Sequence, residues 1–132
     1  MKHSKKEIRR AVHKALRQWD QPTRAGLETF AQMKLPREFG FEQDLPIVEC
    51  RLTINKMLLF YIDQLGRLQP DLAKLLTLRF AQKAPVKKLA FQLSVSIDQV
   101  NRLQRIGITF LAGLVYDEER RRSSPSPDEG DR

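Results

Sequence analysis

Residues 65–114, LGRLQPDLAKLLTLRFAQKAPVKKLAFQLSVSIDQVNRLQRIGITFLAGL, leave the chain little freedom. Their breaks and apolar positions spell two supporting helices, then a short helix, a tight turn and a longer helix. Leu89, Ala90 and Leu93 give the short helix its inner face, and Ser94 and Val95 make the turn. Ser96 with Gln99 then forms an S-x-x-Q capping box that opens the next helix. The pattern is that of a helix-turn-helix spanning about Val86 to Val115, in which the second helix lies in the major groove of DNA and reads it with its solvent face.

Stepping 100° per residue from Val100 places Leu103, Gly107, Leu111 and Leu114 on one stripe of this helix, about Ser96 to Val115. Asp98, Arg102, Arg105 and Thr109 fall opposite, with Asn101 at the edge. Together with Gln99, and with Lys87 and Lys88 before the turn, these form the candidate DNA-binding set. Arginine suits bidentate contact to guanine or phosphate and Asn101 suits adenine, whereas Asp98 repels phosphate unless it accepts from a cytosine amine. Asp98 and Arg102 stand four apart, so a solvated surface ion pair is the competing reading. Ile106 and Ile108 flank the stripe and need a cover, from the rest of the chain or from a partner.

The same stretch resembles the C-terminal DNA-binding region, region four, of bacterial sigma factors. Leu65 and Leu68, Pro70, Leu75 and Leu76, Leu78-Arg79-Phe80, Leu89-Ala90, Leu93, Val95-Ser96 and Val100 stand in register with that family's pattern. Two positions depart from it: Lys88 replaces the acidic residue common before the "IA" pair, and Ser94 replaces the usual turn glycine. The resemblance implies a trihelical DNA-binding fold over about fifty residues. It does not extend to a whole sigma factor, because the 45 or so residues before Ile47 are too few and too poor in aromatics for a promoter-melting domain. A lone region four would meet an RNA polymerase held by another subunit, or act as an ordinary transcriptional regulator. Similar domains also serve as appendages of large signalling ATPases, so the resemblance equally permits a protein-interaction or assembly module.

Charge agrees with a polyanionic partner. The 132 residues carry a formal charge of +8, and setting aside residues 117–132, with four basic and six acidic side chains, leaves 20 basic against 10 acidic. Such an excess favours double-stranded DNA through counterion release, although RNA or a membrane surface shares the attraction. Cys50 stands alone, which excludes an intramolecular disulfide, and no apolar run approaches a membrane span or a signal-peptide core. A cytoplasmic protein is expected.

Towards the N-terminus, residues 1–45 read as a basic helical segment packed on the main domain, residues 46–116. Lys5 to Trp19 predicts an amphipathic helix with Ile8, Val12, Ala15 or Leu16, and Trp19 inward and Lys6, Arg9, Arg10, His13, Lys14 and Arg17 outward. That outer stripe is either a solvated face or a phosphate follower. A second helix is expected over Thr23 to Lys34, and a connector over Pro36 to Pro46 whose Phe39 and Phe41 pin it to the core. Ile47 to Arg67 predicts the longest helix, with Val48, Leu52, Ile54, Leu58, Tyr61, Ile62 and Leu65 inward. Pro70 opens the next helix at its first turn. Residues 117–132, DEERRRSSPSPDEGDR, have no apolar side chain and read as a disordered tail or linker.

Chemistry beyond binding is not signalled. His3 and His13 are the only histidines, Cys50 has no histidine near it in sequence, and neither C-x-x-C, H-x-x-x-H nor a phosphate-cradling glycine loop is present. We therefore expect no enzyme, no cofactor and no metal. The fold class expected is all-α, a helical domain ending in a region-four-like helix-turn-helix.

Overall fold

A computed structural model describes residues 3–24 and 26–123, and among them every regular element is helical. The α-helices are α1 (Lys5–Arg17), α2 (Glu28–Ala31), α3 (Ile47–Leu68), α4 (Pro70–Leu76), α5 (Val86–Leu93) and α6 (Ile97–Ser123). A 3₁₀ turn, Leu35–Phe39, precedes α3, and a π turn, Thr77–Ala81, prolongs α4. The class is all-α.

A capping box starts α1: the Ser4 hydroxyl accepts from the Glu7 N–H at 3.1 Å, and the Glu7 carboxylate accepts from the Ser4 N–H at 2.8 Å. The helix then buries Ile8, Val12, Ala15 and Leu16, the face its periodicity predicts. It packs antiparallel along α6, with the Lys5 ammonium over the Tyr116 ring at 5.7 Å and the Arg9 guanidinium donating to Thr109 Oγ1 at 3.0 Å. The main core joins α1, α2, α3, α4 and α6 through residues such as Val12, Phe30, Met57, Leu58, Leu76 and Leu111. A satellite cluster of Leu75, Leu89, Ala90 and Val100 lies under α5, with Leu93 and Leu103 against it. Leu103 touches both clusters and so ties the α5–α6 pair to the body.

Three expectations need correction. The helix expected over Thr23 to Lys34 shrinks to Glu28–Ala31, because Gly26 takes a left-handed φ of 82° where the chain passes against α1. A Cβ there would stand 3.0 Å from the Ala15 backbone nitrogen, so the close approach requires glycine. In α3, Val48 and Leu52 are 51% and 60% exposed rather than inward. Ile54, Leu58, Tyr61, Ile62 and Leu65 are buried as expected, but Arg51 and Asn55 take inner positions beside them: Arg51 donates to Thr23 O at 2.9 Å and Asn55 to Trp19 O at 2.7 Å. These side chains satisfy backbone carbonyls in the exit from α1, which no apolar residue can do.

The third correction is at the C-terminal end. Residues 117–123, expected in a disordered tail, are the last two turns of α6, while residues 124–132 lie outside the described part. Glu119 is buried and accepts from the Lys34 N–H at 3.0 Å and the Leu35 N–H at 2.7 Å, supplying a carboxylate to the start of the 3₁₀ turn. Arg122 pairs with Glu38 and Glu118, and these partners raise the Arg122 pKa. Polar bonds to residues 84 and 85 positions away, invisible to an apolar pattern, hold these turns.

Candidate nucleic-acid interface

The α5–α6 pair is shaped by its turn. Ser94 adopts the left-handed conformation, φ 57° and ψ 43°, at the end of α5. The Val95 N–H donates to Ala90 O at 3.0 Å and the Ser94 N–H to Phe91 O at 3.2 Å, which closes the helix terminus. Serine pays a steric cost there that glycine avoids. Two residues later Ser96 Oγ accepts from the Gln99 N–H at 3.0 Å and starts α6.

This geometry leaves Lys87, Lys88, Asp98, Asn101, Arg102 and Arg105 exposed, and Gln99 half-buried. Thr109 is exposed too, at the edge where α1 meets α6. Its hydroxyl accepts from Arg9 and donates to Arg105 O at 2.9 Å, so it belongs to the seam between α1 and α6. Asp98 and Arg102 form no ion pair, nor do Lys87, Lys88 or Arg105, among the described residues. Their charge is held in solvent with no internal anion to neutralise it.

No protein-family model, curated protein or solved structure matches the chain.

The Arg9–Thr109 bond extends this surface in a way the sequence alone did not indicate. It lays α1 beside the second half of the face that carries Asp98, Arg102 and Arg105. Lys6, Arg10, Lys14 and Arg17 are exposed on α1, and Arg9 is half-exposed. His13, partly buried edge-on to Phe80, has its pKa lowered, first by desolvation and then by Arg17 and Arg9. The bond thus sets α1, with its exposed cations, beside this part of α6.

Apolar side chains border it. Ile108 is buried, so the rest of the chain covers that flank of α6, but Ile106 is 37% exposed and Phe110 48%. Phe91, one turn beyond Lys87 and Lys88 on α5, is 86% exposed. Among the described residues no cluster of His, Cys, Asp and Glu is placed to hold a metal ion. Among the described residues no helix is long and apolar enough to cross a membrane. Cys50 is buried, with its thiol against the Glu42 and Leu45 carbonyls.

Proposed function

We propose that the protein is a DNA-binding transcriptional regulator that sets the first turns of α6 in the major groove and holds flanking phosphates with α5 and α1. The observation that carries this reading is the unpaired basic surface of Lys87, Lys88, Arg102 and Arg105, continued by the α1 cations through the Arg9–Thr109 bond. Arg102 and Asn101 take the base-reading role, and the lysines the phosphates. The likeness to sigma region four supports the same docking and makes RNA polymerase a fitting second partner. The absent Asp98–Arg102 pair favours this reading over a self-neutralised surface.

A fluorescence-anisotropy titration on duplex DNA tests it. Arg102→Ala and Arg105→Ala are expected to weaken binding with the thermal midpoint unchanged, since both side chains are exposed. Affinity is expected to fall about 10³-fold or more between 50 and 200 mM salt if about six phosphates are neutralised. A wild type that does not bind at micromolar concentration in low salt retires the reading. The specific observation favouring a protein-interaction module, including one attached to a signalling ATPase, is the exposure of Ile106, Phe110 and Phe91 beside the basic face.

A further inference from the structure

A hollow of about 260 Å³ opens between the end of α1 and the π turn, lined by Leu16, Arg17, Arg79, Phe80 and Lys83. Three of its five lining residues are cations, and one carboxylate, Asp20, answers them by pairing with Lys83. Arg17 and Arg79 have no anionic partner among the described residues. Arg79 Nε is buried without a hydrogen-bond acceptor, and its guanidinium lies over the Phe80 ring at 5.5 Å. A guanidinium is a planar fork that suits two oxygens of one oxyanion.

The backbone is also unusual here. Thr77–Ala81 is a π turn, closed by the Gln82 N–H donating to Thr77 O at 3.0 Å. Such turns are rare and gather at functional sites, because the wider loop redirects a side chain. Lys83 then adopts a left-handed φ of 59°. Ending the helix needs that conformation, yet glycine or asparagine would adopt it more cheaply than lysine. The cost goes with a cation placed at the rim.

We propose that this hollow is a phosphate site, in which Arg17, Arg79 and Lys83 seat a single phosphoryl oxyanion. The source of that group rests on the DNA reading above: Lys87 and Lys88 follow on α5 within a few residues, so a backbone phosphodiester flanking the major groove is the expected occupant. Asp20 tunes the site by drawing Lys83 away from the anion.

Two titrations test this. In amide NMR, sodium phosphate is added at constant ionic strength against sodium chloride. Saturable shifts are expected around Arg17, Arg79 and Lys83, lost in Arg79→Gln and in Arg17→Gln, the second being an exposed position where folding is not at stake. Asp20→Asn is expected to tighten phosphate binding, a gain that a purely structural role does not yield. On duplex DNA, either arginine variant is expected to reduce the slope of log affinity against log salt by about one unit, uniformly across sequences. Phosphate shifts in a protein that binds no duplex keep the site and assign it to a free phosphoryl group, while retiring the DNA reading. Duplex binding by wild type, with no phosphate shifts and an unchanged salt slope in both variants, overturns the site and leaves the DNA reading in place.

Discussion

Leu89 is fully buried between α5 and α6, against Leu75, Ala90 and Val100. Because this cluster is small, few neighbours are available to collapse into a void. Leu89→Ala is expected to cost about 2 to 5 kcal/mol, read as a lowered urea midpoint. A loss below about 0.5 kcal/mol, the range of exposed substitutions, would mean that the leucine does not form the seam. His13 makes a different kind of contribution. Its pKa is lowered in the folded chain, first by desolvation, so the native state binds its proton less readily than the unfolded chain does. Stability from this group is therefore complete above the unfolded value of about 6.5 and declines as pH falls through the lowered folded value. Thermal midpoints are expected to drop between pH 7 and 5 in wild type and to stay flatter in His13→Asn. An equal slope in both proteins would show that the decline comes from other groups.

At the scale of elements, what the sequence revealed follows from which forces leave a periodic mark. The faces of α1 and of the α5–α6 seam are apolar stripes at helical spacing, and Ile8, Val12, Leu89 and Val100 lie where the stripe puts them. The two polar inner positions of α3 left no such mark. Val48 and Leu52 extend its apolar pattern, but Arg51 and Asn55 win the inner positions through two hydrogen bonds to carbonyls 28 and 36 residues away. The candidate site divides in the same way. Lys87, Lys88, Asp98, Arg102 and Arg105 were legible because they oppose a buried stripe, whereas the hollow around Arg79 arises from a π turn and a left-handed lysine that have no short motif. The end of α6 is the clearest such case. Glu119→Ala removes the acceptor shared by the Lys34 and Leu35 N–H groups, of which the second is buried. Hydrogen bonds to a charged group contribute about 1.5 to 3 kcal/mol, so a loss on the order of 2 to 3 kcal/mol is expected in chemical unfolding. Glu119→Gln, which keeps one accepting oxygen, should lose less. If Glu119→Ala unfolds at the wild-type midpoint, the Glu119 carboxylate contributes nothing to the fold.

On the whole molecule, charge is unevenly placed. Near the C-terminal end of α6, Arg121 pairs with Glu118 and Arg122 with Glu38 and Glu118, while Arg120 and the exposed cations of α1, α5 and the start of α6 have no ionic partner among the described residues. In the DNA reading proposed above, the polyanion is drawn to the cations of α1, α5 and the start of α6, and Asp98 is the discordant member of that set. An exposed carboxylate on the first turn of α6 is favourable to the helix itself, since it faces the positive end of the helix dipole. Against DNA it acts in one of two ways. If it stands over a phosphate, Asp98→Ala should raise affinity for every duplex alike. If it accepts from a cytosine amine, the variant should bind random duplex no worse but lose about 1 to 3 kcal/mol of preference at one base pair. Selection from a randomised duplex pool, run in parallel on wild type and Asp98→Ala, separates the two: the first outcome leaves the enriched sequence unchanged, and the second erases one position of it. Indistinguishable affinity and enrichment in the two proteins would place Asp98 outside the interface, and with it the face of α6 that also carries Arg102 and Arg105.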